Sequence, residues 1–120
     1  MLRMSAKAPH LRKGEAAEAL AERWLQAKGL TRVDRNFRCK SGEIDLIMQD
    51  EDALVFVEVR YRSHTGFGSA IDSVTPAKQQ KLLRSAQHYL QQLGHTPACR
   101  FDIIGIDREN RIQWIRNAFQ

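Results

Sequence analysis

Cysteine is scarce in this 120-residue chain, and Cys39 and Cys99 make no close-spaced pair. A disulfide framework is not expected, and two unlinked, reduced thiols are. The four histidines (His10, His64, His88, His95) share no ligand spacing with one another or with the cysteines, which argues against a structural zinc site. No run approaches the roughly 18 apolar residues of a membrane span. The opening Met1 to Lys7 holds no apolar stretch of signal-peptide length. The expected compartment is therefore the cytoplasm, with no membrane partner. Internal repeats, linkers and low-complexity segments are also missing.

What is present is an ordinary globular composition, 42% apolar and 28% charged, in a chain of single-domain length. A domain of this size buries about two-thirds of its unfolded surface, so one core suffices. The net charge is +5, which favours an anionic partner. The distribution is more informative than the total. Residues 1–13 carry Arg3, Lys7, Arg12 and Lys13 with no acid, and residues 32–40 carry Arg32, Arg35, Arg38 and Lys40 against Asp34 alone. Arg60, Arg62, Lys78, Lys81 and Arg84 follow. Residues 1–12 read as a flexible basic arm, and 13–120 as one domain.

Two stretches organise that domain. Ser41 to Ile47 and Val55 to Arg60 each read as a β-strand, short, branched and of period two. A hairpin with its turn at Glu51-Asp52 makes paired residue numbers sum to 103. Asp45 then faces Glu58, and Glu43 faces Arg60. On the other face Ile44, Leu46 and Met48 meet Val59, Val57 and Val55. A one-residue slip would separate the two acids. Like charges directly opposed on a strand pair destabilise it, so the register calls for a cation. Oxygen ligands of this kind suit Mg²⁺ or Mn²⁺, which bind through one or two carboxylates, waters and phosphate. The competing reading is a solvated face neutralised by Arg60 and Arg62. An acidic centre in basic surroundings suits a metal site that handles a phosphate backbone.

Around the hairpin, residues 14–28 read as an amphipathic helix with Ala17, Leu20, Ala21, Trp24 and Leu25 on one stripe and Gly29 just past its end. Glu15, Glu18 and Glu22 share one strip, and Glu18 borders the apolar stripe, within reach of the sheet. Residues 30–38 read as a strand with Val33 and Phe37 as its apolar signals. Residues 62–75 form a long connection, with Arg62 and His64 placed to touch phosphate. Thr75-Pro76 opens a second helix, with Lys78 and Lys81 one turn apart and Gly94 at its end. Residues 99–107 read as a strand buried on both faces, and Ile112 to Ile115 as a short last strand. Trp114 and Phe119 are expected in the core or over an edge. The element order is αβββαββ, an α/β domain with a mixed sheet flanked by helices.

An acid on one strand followed by Glu58-Val59-Arg60 on the next resembles the PD-(D/E)xK nuclease motif. Gly42 to Ile47 together with Val55 to Arg62 resembles the YraN family of bacterial proteins. Gly14-Glu15, Asn36-Phe37-Arg38, Lys78 and Arg100-Phe101-Asp102 extend that likeness over nearly the whole chain. The family is similar to archaeal Holliday-junction resolvases and shares the restriction-endonuclease-like fold. The resemblance implies a metal-dependent, structure-selective endonuclease acting on branched DNA, and a homodimer. It carries the metal-binding acids onto Asp45 and Glu58 and a helical glutamate onto Glu18, with the Val59 carbonyl as a further ligand. Arg60 stands at the position of the motif lysine, and Glu15 and Glu43 match the family pattern as supporting acids. Arg38, Lys40, Arg62, Lys78 and Lys81 would grip nucleic acid. Two departures stand out: Ile44 replaces the motif proline, and Arg60 stays protonated, so it stabilises charge but accepts no proton. A nuclease scaffold that binds nucleic acid without cutting it is the alternative, and a protein-interaction domain the third reading.

Overall fold

Each α1 position that the periodicity assigned to an apolar stripe meets the sheet. A computed structural model describes residues 9–61 and 70–120, with side chains from residue 14 onward. Helix α1 (Pro9–Ala27) buries Ala17, Ala21 and Leu25. It starts at Pro9, five residues before the expected Gly14, so the last four residues of the expected basic arm are helical. Residues 1–8 lie outside the described residues. Gly29 follows the helix with φ +103°.

Strands β1 (Thr31–Cys39), β2 (Gly42–Asp50) and β3 (Ala53–Tyr61) form an antiparallel meander. A 3₁₀ turn (Ala70–Ser73) precedes helix α2 (Pro76–Leu93), and strands β4 (Cys99–Ile106) and β5 (Ile112–Phe119) complete the chain. The five strands lie in sequence order, with β3–β4 the one parallel pair. The order is the expected αβββαββ. Helix α2 is the crossover that a parallel pair requires. It is capped as its sequence suggests: Thr75 Oγ1 accepts the Lys78 amide at 3.2 Å, Pro76 follows, and Gly94 closes the helix at φ +79°.

The helices cover opposite faces and divide the core. One cluster joins α1 to Leu46, Met48, Val55, Val57, Ile104 and Ile106. The other joins Leu82, Ala86 and Tyr89 of α2 to Ile47, Phe56, Phe101 and Ile103. Strand β4 is buried throughout from Phe101 to Ile106, as expected of a strand covered on both faces. Strand β5 runs four residues beyond the expected Ile115, to Phe119, which stacks on Phe101 with ring centres 4.9 Å apart. Trp114 packs edge-on against Trp24 at 5.5 Å. Val33 is no core residue: β1 is an edge strand with a bulge between Arg32 and Asp34, and Val33 is exposed.

The end of the long connection, Ala70–Ser73, is tied to the sheet. Ser73 Oγ donates to the Ala70 carbonyl at 2.6 Å, and the Ala70 amide donates to Gln113 Oε1 at 3.0 Å. Gly105 leaves room for this turn, because a Cβ there would come within 2.7 Å of the Ala70 side chain. His64 and Arg62 fall outside the described residues. No helix among those described is long and apolar enough to cross a membrane.

Candidate active site

The β2–β3 ladder has the expected register. Asp50–Ala53, Gln49–Leu54, Met48–Val55, Ile47–Phe56 and Leu46–Val57 are paired, with Glu51 at φ +54° in the turn. The ladder ends at Leu46–Val57, so the expected pairs Ile44–Val59, Asp45–Glu58 and Glu43–Arg60 do not form. Strand β2 changes faces at this point. Leu46 and Met48 belong to the α1 cluster, yet Ile44, two residues away from Leu46, packs in the α2 cluster. In a regular strand residues i and i+2 share a face. The neighbouring row of β1 does the same: Arg35 pairs with Glu22 of α1, whereas Phe37 meets Tyr89 of α2 at 5.1 Å. Between them Asn36 takes a left-handed φ of +56°, a conformation asparagine tolerates better than most side chains. The apolar ladder expected from Ile44 to Met48 is broken accordingly.

Asp45 sits where the faces cross. Its Oδ2 accepts the Val59 amide at 2.9 Å, filling the opening between the strands that the main-chain ladder leaves. Glu18 approaches it from α1, close enough for each carboxyl to perturb the other. Burial, then the Glu58 carboxylate, and then Glu18 and Glu43 against one amide donor push Asp45 up to about 8. Burial and Glu43 also raise Glu18, offset in part by Asn36. The Asn36 amide, in the orientation that satisfies its neighbours, donates to Glu18 Oε1 at 3.0 Å and Glu43 Oε2 at 2.9 Å.

Glu58 is buried on the α2 side and holds two cations. Arg60 Nη1 lies 3.2 Å and Lys78 Nζ 3.6 Å from its Oε2. Arg60 is fixed further by Ser73, Nε to the hydroxyl at 3.1 Å and Nη2 to the carbonyl at 3.3 Å.

The structure thus gathers Asp45, Glu58, Glu18, Glu43, Arg60 and Lys78 around the point where β2 leaves β3. Arg38 joins the edge of the group through Glu43 at 3.7 Å. Lys40, in the β1–β2 turn, Lys81, one turn along α2 from Lys78, and Glu15 on α1 are exposed. Asn36 and Ser73 are participants that sequence reasoning missed. An asparagine inside a strand and the first hydroxyl upstream of the helix cap offered only faint signals of them. Glu22, on the same helix strip as Glu15 and Glu18, is buried and clamped by Arg32 and Arg35.

Among the described residues no three His, Cys, Asp or Glu side chains form a ready-made metal cage. The donor set nonetheless fits a hard divalent cation: it is all oxygen, and Mg²⁺ commonly takes only one or two protein carboxylates. A cleft of about 650 Å³ lined by Leu83, Arg100, Phe101 and Phe119 lies toward the other end of β3 and β4, away from these acids.

A second acidic centre is structural. The fully buried Asp102 accepts Arg100 Nε at 3.0 Å, Trp114 Nε1 at 2.9 Å and the Asn117 amide at 2.9 Å, so its oxygens are well satisfied.

A model for the uncharacterised protein family UPF0102 matches residues 17–106, from the buried stripe of α1 to the end of β4. A UPF0102 protein of Nitrosococcus oceani is 54% identical over 94% of this chain and 95% of its own length. One from Alkalilimnicola ehrlichii is 50% identical over 98% and 94%, and one from Aeromonas hydrophila 54% identical over 89% and 84%. The chain belongs to the UPF0102 family, the YraN family that its strand motifs resemble.

Proposed function

We propose that this chain is a divalent-metal-dependent endonuclease acting on nucleic-acid phosphodiesters, with branched DNA as substrate. The observation that carries the reading is the meeting of Asp45, Glu58 and Glu18, from three separate elements, at the opening between β2 and β3. A fold gains nothing from crowding three carboxylates, and the crowding is resolved when a cation joins them. Asp45 and Glu58 would hold Mg²⁺ or Mn²⁺, with Glu18 as an outer ligand. Such an ion, when bound, lowers the pKa of its water and polarises a phosphoryl oxygen. The Val59 amide orients the Asp45 carboxylate, and Asn36 holds Glu18 and Glu43 toward it. Arg60 places a planar, permanently charged donor beside Glu58, where negative charge builds on a phosphate. Arg38, Lys40, Arg62, Lys78 and Lys81 supply backbone contacts, which read branch geometry rather than sequence. A homodimer, which would engage two arms of a branch, is part of the proposal.

One observation favours the binding-only alternative: Glu58 already has two cationic partners, so its charge is partly met without metal.

The test is incubation of the purified protein with four-way, flap and splayed DNA in Mn²⁺. Cutting by the wild type and none by Asp45→Ala or Glu58→Ala is expected. Cutting that survives either substitution removes the assignment. Junction binding without cutting by the wild type establishes the alternative, with affinity falling steeply as salt rises.

A further inference from the structure

We propose that Lys78, in the first turn of α2, and not Arg60, is the mobile catalytic cation of this site. The inference rests on the nuclease reading above. The two cations beside Glu58 are held very differently. Arg60 is tied at all three guanidinium nitrogens, to Glu58 and to the hydroxyl and carbonyl of Ser73. It cannot follow a phosphate through a reaction without breaking those bonds, so it acts as a fixed counter-charge and a strut between β3 and the 70–73 turn.

Lys78 is not tied in this way. Its ammonium stands 3.6 Å from Glu58 Oε2, beyond ordinary hydrogen-bond length, and its side chain is 42% exposed. It also occupies an unfavourable place for a cation. The first turn of α2 carries no acid, and the positive end of the helix dipole opposes an ammonium there. An anion arriving at this end of the helix would satisfy both. Thr75 Oγ1 fixes the Lys78 main-chain amide, which sets where the flexible stem begins and aims it at Glu58. Three rotatable donors on a four-carbon stem can track the oxygens of a phosphate as its charge shifts. Lys81, one turn further on and exposed, serves for grip alone.

The full chain is tested as wild type, Lys78→Ala, Lys81→Ala, Asp45→Ala and the double variant Arg60→Lys with Lys78→Ala. Single-turnover cleavage of a four-way junction is measured in Mn²⁺, junction affinity in Ca²⁺ by anisotropy, and Mn²⁺ affinity by calorimetry. Lys78→Ala is expected to lose at least 100-fold in cleavage rate with less than threefold in junction affinity. Its Mn²⁺ affinity should rise severalfold, because Glu58 loses a competing cation. Lys81→Ala should show the opposite split, and a lysine at position 60 should recover at least tenfold of the rate lost by Lys78→Ala. The inference is overturned if Lys78→Ala cuts within threefold of wild type while Asp45→Ala is inert, if rate and affinity fall together, if Mn²⁺ affinity is unchanged, or if the double variant recovers nothing. If wild type and Asp45→Ala cut alike, or neither cuts, the nuclease reading fails and takes this inference with it.

Discussion

Replacing Asp45 with asparagine should make the metal-free protein more stable at pH 8 and leave it nearly unchanged at pH 5. Asparagine imitates the protonated acid: its carbonyl can still accept the Val59 amide, and its NH₂ can donate to Glu18. Asp45 is held at about 8 against an ordinary 3.8. In the folded chain it therefore keeps a proton that the unfolded chain releases near pH 4. Stability from this source is full below pH 4 and is lost as pH rises toward 8. At about 1.4 kcal/mol per pH unit the whole interval sets a ceiling of roughly 6 kcal/mol. Linkage between pH 5 and 8 alone accounts for ~3–4 kcal/mol of it. Coupling to Glu18 and local relaxation relieve part of the strain, so the expected gain from Asp45→Asn at pH 8 is about 2 kcal/mol, against less than ~0.5 kcal/mol at pH 5. Urea unfolding in EDTA, followed by fluorescence of the packed Trp24–Trp114 pair, measures both. Equal effects at the two pH values, or a loss at pH 8, would refute the crowded-carboxylate account of this site.

Three further outcomes follow from the same structure. Asp102→Ala leaves the half-buried Arg100 guanidinium with Asp50 as its remaining acid and strands the Trp114 N–H and the Asn117 amide. It should cost roughly 3–5 kcal/mol in denaturant unfolding, and a cost under 1 kcal/mol would contradict the network. Gly105→Ala drives a methyl to within 2.7 Å of Ala70. It should cost about 1–3 kcal/mol and speed hydrogen exchange at the Ala70 amide, and unchanged exchange would show that the turn moves freely. At Cys39 burial pushes the thiol up, but the Ser85 hydroxyl, the Ser41 and Gly42 amides and Lys40 outweigh it and hold the thiol below its usual range. Iodoacetamide at pH 7 should therefore label Cys39 faster than the more exposed Cys99, and mass spectrometry showing the reverse order would exclude that cradle.

Much of the fold could be read along the chain because it is set by neighbours. The α1 stripe, the Thr75-Pro76 start and the Gly94 stop of α2, and the Glu51-Asp52 turn all depend on residues within a turn or two of each other. The hairpin register followed from that turn, and with it came the correct proximity of Asp45 and Glu58. Where β5 ends was less legible, because Arg116 and Asn117 break the apolar alternation. Asn117 is accommodated by Asp102, fifteen residues away.

What sequence alone determined is the inventory: which segments are helix or strand, in what order, and that Asp45 and Glu58 sit near one another with basic residues around them. Only the tertiary structure decided how they meet. The left-handed Asn36 and the crossing of β2 between the two core clusters turn Asp45 into the gap between strands instead of across from Glu58. The packing of α1 brings Glu18 to it, and the 70–73 turn locks Arg60 and leaves Lys78 loose. Side-chain alternation is a local rule of the backbone, but the place where a strand breaks it is chosen by helices far away in sequence that must bury their own apolar faces.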